Sequence, residues 1–172
     1  MCHSAWDMPE LQRLTGAHLD AVREFERQNR AYFAKSLTDR GDEFYEALAE
    51  HHQALLDAQD NGTCVFFVLV DRDGAILGRF NLYDLDDGAA RVGYRVAERA
   101  TGRGVATRAL QELCRKARTD YNLRTLAAET STANLASQRV LEKTGFTPIG
   151  SCRVAGKPGR RFSIELAKVS SS

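Results

Sequence analysis

The chain has 172 residues, of which 43% are apolar and 27% charged, and its 24 Lys and Arg nearly balance 23 Asp and Glu, for a formal net charge of +1. That is ordinary usage for a soluble domain, and the length suits one domain with its own core, spanning residues 1–172. The composition excludes wholesale disorder, and the lack of a basic excess argues against nucleic acid as a partner.

No apolar run approaches the ~20 residues that a bilayer span needs. The longest, Cys64 to Val70, has the length of a strand. Met1-Cys2-His3-Ser4-Ala5-Trp6-Asp7 lacks a basic region followed by an apolar stretch, so no signal peptide and no membrane partner are expected. The expected compartment is cytoplasmic. Cys2, Cys64, Cys114 and Cys152 lie far apart, which argues against a disulfide framework. Cys64 and Cys114 read as small core hydrophobes. Their spacing, with His18, His51 and His52, supports no metal site.

In chain order, the pattern reads helical up to residue 62. Leu19, Val22, Phe25, Tyr32 and Phe33 recur at helical spacing, as do Phe44, Ala47, Leu48, His51, Leu55 and Ala58. Asn61-Gly62 closes the second run. Thr63–Asp71 and Ala75–Tyr83 read as a hairpin about Asp73-Gly74. Asp84 to Gly88 reads as a polar turn, and Ala89–Val96 as a third strand. Arg103–Arg118 predicts an amphipathic helix that buries Ala106, Leu110, Leu113 and Ala117. Leu123–Glu129 is a strand, and Asn134–Lys143 a short helix with Asn134 as N-cap and Gly145 as stop. Phe146–Val154 and Arg161–Val169 form an antiparallel pair about a Gly156–Gly159 turn. The result is an α/β (mixed α+β) domain, helices packed on a sheet.

The most informative stretch runs from Val96 through Arg99-Ala100-Thr101-Gly102-Arg103-Gly104 into Val105-Ala106-Thr107. It leaves a strand, turns through two glycines and enters a helix. Backbone N–H groups at a helix start have no internal partners, and the helix dipole adds positive potential there. Glycine lets a ligand approach the backbone. Together these suit a pyrophosphate, with Arg99 and Arg103 adding charge. The plainer reading is a strand–helix loop with glycines for geometry. No Gly-Lys-Ser/Thr follows, so this is not a P-loop. A dinucleotide fingerprint would need a third glycine where Thr107 stands.

Arg99-Ala100-Thr101-Gly102-Arg103-Gly104 resembles the acyl-CoA loop of the GNAT superfamily of N-acyltransferases, Gln/Arg-x-x-Gly-x-Gly/Ala. Asn134-Leu135-Ala136-Ser137, followed by Gly145-Phe146, resembles that family's second motif. Gly78-Arg79-Phe80-Asn81-Leu82 and Val92-Gly93-Tyr94 resemble its Rim-type branch, which acetylates N-terminal amines of ribosomal proteins. The resemblance implies a GNAT-like fold, a central, mostly antiparallel sheet with helices on both faces. It implies acetyl-CoA as co-substrate, no metal, and transfer of acetyl to a primary amine in a ternary complex. A peptide or protein N-terminus and a small amine are both acceptor classes of the family, and relatives often form homodimers.

The resemblance also implies a site. Tyr94 and Val96 would pair with the pantetheine arm, and Arg99, Gly102, Arg103, Gly104, Val105 and Ala106 would hold the pyrophosphate. Asn134 would bond the pantetheine or a neighbouring strand. Where many relatives carry a tyrosine four residues before Gly-Phe, this chain has Leu141, which cannot donate a proton. Ser137 takes that role in the Rim-type pattern. The glutamate two residues before Gly93-Tyr94 is replaced by Arg91, leaving Glu129 as the candidate base, with Asp84, Asp86 and Asp87 as others. Two further readings stay open: a catalytically silent acyl-CoA-binding regulatory module, and a dinucleotide-binding protein.

Overall fold

The computed structural model describes residues 9–166. Cys2 and the end of the last expected strand, to Val169, lie outside the described residues. Among the described residues, seven strands form one sheet in the order β1-β2-β3-β4-β5-β7-β6. They are β1 (Glu10–Arg13), β2 (Val65–Val70), β3 (Ile76–Asp86), β4 (Ala89–Val96), β5 (Thr125–Ser131), β6 (Thr147–Val154) and β7 (Lys157–Glu165). All neighbours run antiparallel except β4 and β5.

The helices cover both faces. α1 (Leu19–Ala34), α2 (Asp42–Glu46) and α3 (Leu48–Asp60) precede β2, while α4 (Val105–Tyr121) and α5 (Leu135–Thr144) flank β5. Val65, Phe67 and Leu69 of β2 join Phe80, Leu110, Leu113, Leu141 and Phe162 in one buried cluster. Phe66 and Val68 join Val22, Phe25, Phe33 and Leu48 in the other. Burial on both faces explains why β2 is a continuous apolar run rather than an alternating one. Gln59 of α3 ties the layers together. Its side chain accepts from Phe66 N–H at 2.8 Å and donates to the Leu14 carbonyl at 3.1 Å.

Three boundaries differ from expectation. Glu10–Arg13 pairs with β2 as a sheet edge, although its sequence carries no strand signal and only Leu11 is buried. β3 runs past Tyr83 to Asp86, with an irregularity after Tyr83, because the turn is Asp87-Gly88, both at positive φ. The final hairpin turns at Ala155-Gly156, again both at positive φ, so Val154 faces Lys157 and Gly159 is already in the strand. Positive φ at both central residues is the two-residue turn that matches strand twist. The cap residues agree with expectation: the Asn134 side chain caps α5, and Gly145 ends it at φ 115°. Cys64 and Cys114 are buried.

Candidate functional site

β4 and β5 are paired only from Ala89–Thr125 to Val92–Ala128. Beyond Val92, β4 stays on β3 as far as Val96 but has no ladder on its β5 side. The sheet therefore opens at Gly93–Val96, and a free strand edge faces the gap. Such an edge offers N–H and C=O groups to an extended ligand.

The glycine turn borders the same gap. Gly102 and Gly104 have φ of 75° and 73°, a region disfavoured for residues with a Cβ. α4 starts at Val105, and its first helical bond is Arg108 N–H to the Gly104 carbonyl. The amides of Val105, Ala106 and Thr107 precede that bond and point out of the helix end. No side chain caps them, and a Cβ at Gly102 would meet nothing within 4 Å. A cavity of about 400 Å³ joins these parts. Its walls include Tyr94, Val96, Gly102, Gly104, Val105 and Ala106, with Asn134 and Ser137 of the α5 start opposite. Arg99 and Arg103 do not line it. Arg99 lies 3.7 Å from Asp71, and Arg103 is exposed on the turn.

Asn134 accepts from Ser137 N–H at 3.1 Å, so the cap fixes the first turn of α5. The Ser137 hydroxyl then lies 3.0 Å from the Tyr94 hydroxyl, which also approaches the Ser137 carbonyl at 3.3 Å. The Tyr94 ring is held flat on Phe80, centroids 5.5 Å apart at 12°. Burial raises the Tyr94 pKa to about 12, outweighing its bond to Ser137, so the phenol stays protonated at neutral pH. Leu141, one turn further on, is buried in the core. The sequence points to the backbone of Tyr94; the structure adds its hydroxyl.

A second cavity, about 520 Å³, lies under α1–α3 on the other face of β4. It shares Phe33, Leu37, Tyr94 and Arg95 with the first, so the two meet at the opening of the sheet. Tyr32 lines the first cavity and Arg40 the second. The floor of the second carries Arg79, Asn81, Tyr83 and Arg95. Arg79 and Arg95 both donate to Glu26 Oε2 at 2.7 Å, and Glu26 is fully buried. Asn81 donates to the Tyr83 hydroxyl at 2.9 Å, while its buried Oδ1 has no hydrogen-bond partner among the described residues. Nothing local in the sequence announces this group, because its members come from α1, β3 and β4.

Glu129 lines neither cavity. Arg161 holds one of its oxygens through two bonds, at 2.9 and 3.0 Å, and Arg91 approaches the other at 3.6 Å. Arg91 also lies 3.5 Å from Asp84, and both are exposed. Two guanidinium groups thus compete for the lone pairs that a proton acceptor would use. Among the described residues no group of three or more His, Cys, Asp or Glu could hold a metal ion, and no helix is long and apolar enough to cross a membrane.

The acetyltransferase (GNAT) domain model matches residues 10–147. The chain belongs to the GNAT family. The probable N-acetyltransferase YjcK of Bacillus subtilis is 27% identical over 135 residues, 73% of each chain. The ribosomal-protein-S5-alanine acetyltransferase of Vibrio fischeri superposes with a TM-score of 0.85 at 19% identity, covering 95% of this chain and 96% of that one. The spermidine N-acetyltransferase of Vibrio cholerae, solved with CoA and spermine, superposes at 0.78 and 17% identity over 95% and 99%. The fold of this GNAT acetyltransferase is therefore shared with Rim-type and polyamine enzymes alike, and the acceptor must be read from the site.

Proposed function

We propose that this GNAT protein moves an acetyl group from acetyl-CoA to a primary amine in a ternary complex, with a peptide N-terminus as the acceptor class. The observation that carries the reading is the junction of two cavities at the opened edge of β4. One cavity has the features of an acyl-CoA site. The free Gly93–Val96 edge suits a pantetheine arm, and the amides of Val105, Ala106 and Thr107 with the open glycine turn suit a pyrophosphate. Arg99 and Arg103 stand outside the cavity wall, where they add positive potential near the phosphates. The ligand supplies an activated acyl carbon and a thiol leaving group.

The chain's own groups supply the rest. A backbone N–H of Gly93–Val96 meets the charge that develops on the carbonyl oxygen. Ser137 Oγ delivers a proton to the departing sulfur, and the Tyr94 hydroxyl orients Ser137 and relays to it, through water, the proton that the attacking nitrogen gives up, so that both hydroxyls end as they began. Glu129 holds Arg91 and Arg161 in place rather than receiving the amine proton. The amine enters from the second cavity, past Asn81 Oδ1, a buried acceptor suited to an amine N–H.

The test is thiol release from acetyl-CoA with short N-terminal peptides and with a polyamine. Transfer to peptide amines supports the reading. Tight acetyl-CoA binding with no thiol release from any amine would mark the protein as a silent acyl-CoA-binding module instead.

A further inference from the structure

We infer that the second cavity selects an acceptor whose amine is accompanied by a carboxylate roughly 7 Å away, as in a peptide with Asp or Glu as its second residue. The inference rests on the acetyl-transfer reading and adds the acceptor's chemistry to it. Arg79, buried, and Arg95, half-buried, share a single carboxylate oxygen, so two guanidinium charges face one carboxylate. Arg40 lines the same cavity and lies over the Phe44 ring at 4.5 Å, with no carboxylate partner among the described residues. Arg30 does not add to this excess, because Asp39 and Asp42 already hold it. Burial lowers the Arg95 pKa, Glu26 opposes that, and Arg40 and Arg79 lower it further. Arg79 and Arg95 thus share one carboxylate, and Arg40 adds a third like charge that Arg95 feels, an arrangement that an incoming anion relieves.

The spacing follows from the register. Asn81 pairs with Gly93, and Arg79 with Arg95, on the same face of the sheet. Two residues along a strand is about 6.8 Å. The unsatisfied Oδ1 of Asn81 sits at one position, beside the opening where acetyl transfer would occur, and the guanidinium cluster at the other. An extended peptide matches that spacing, amine on Asn81 and second side chain toward Arg95 and Arg40. A polycation would meet the arginines with like charge.

The experiment compares Ala-Glu-Ala, Ala-Gln-Ala and Ala-Lys-Ala amides as acceptors, by thiol release at saturating acetyl-CoA. Glu and Gln differ in charge alone. The expected order of kcat/KM is Glu above Gln above Lys, with Glu over Gln by at least about tenfold, the size of one charge-assisted hydrogen bond. In Arg40→Gln the Glu-to-Gln ratio should fall at least threefold, with acetyl-CoA still raising the melting temperature as proof of folding. Equal rates on Glu and Gln, or a preference for Lys or spermidine, would overturn the inference while leaving acetyl transfer intact. No thiol release from any amine would remove the transfer reading, and this inference with it.

Discussion

Replacing Tyr94 with phenylalanine removes one hydroxyl from the cleft and leaves the ring in place. The Phe80 stack survives, and only the contacts at 3.0 and 3.3 Å to Ser137 are lost. A neutral hydrogen bond contributes about 1 kcal/mol net, so the melting temperature should fall by about 2–4 °C at this chain length. The effect on turnover should be larger than that, because in the proposed mechanism the bond orients the proton donor. A loss of about 1–2 kcal/mol of transition-state stabilisation lowers kcat roughly 5- to 30-fold. Ser137→Ala, which removes the proposed donor itself, should cost about 10²-fold or more. If the two hydroxyls act as one unit, the double variant is no slower than Ser137→Ala alone, since coupled residues are not additive. Thiol release under saturating acetyl-CoA and a reactive amine reads all four proteins, and KM for acetyl-CoA should change less than kcat. The pH axis gives a separate check. The folded Tyr94 pKa of about 12 lies above the unfolded value of 10.0. Its contribution to stability is complete below pH 10 and is lost as the pH rises toward 12. Tyr94→Phe should therefore flatten the alkaline fall in melting temperature. Wild-type kcat in Tyr94→Phe, or losses that multiply with those of Ser137→Ala, would refute the paired role.

Three further outcomes follow from the geometry. Gly104→Glu places a carboxylate at the α4 start and forces a side chain to φ 73°, a strain of about 1–2 kcal/mol; calorimetric titration should show acetyl-CoA binding lost in a protein that remains folded. Glu26→Gln strips the counter-charge from buried Arg79 and half-buried Arg95 and should destabilise the fold by about 3–5 kcal/mol in denaturant titration. Burial pushes the Cys114 thiol up to about 12, so it should resist a thiol reagent at pH 8 until the protein is unfolded.

What the sequence disclosed is what neighbouring residues impose on each other. The glycine turn, the Asn134 cap and the Gly145 stop are local devices, each readable within a few residues. The β2 run is equally plain, because burial on both faces demands an unbroken apolar string. β1 was hidden for the opposite reason. Its Glu-Leu-Gln-Arg becomes a strand only because the β2 edge lies beside it, and pairing overrides propensity. The last hairpin has glycines at 156 and 159, and only the backbone shows that Gly156 turns while Gly159 packs, with its would-be Cβ 2.7 Å from Val154. The second cavity was the least legible part. Glu26 meets partners 53 and 69 residues away, and Tyr94 meets Ser137 across 43. No periodicity encodes such contacts. Ser137 lines the first cavity beside Tyr94, while Glu129 is occupied by Arg161 and Arg91.

The measurement that bears most directly on the account is thermal unfolding with millimolar acetyl-CoA, with NAD as the control. A ligand at ~100 times its Kd stabilises by about 2.7 kcal/mol, which here is a rise of roughly 5–10 °C. The account predicts that rise with acetyl-CoA and none with NAD. An unchanged melting temperature in a folded protein would mean that the glycine turn and the open edge of β4 hold no acyl-CoA, and the reading would fall.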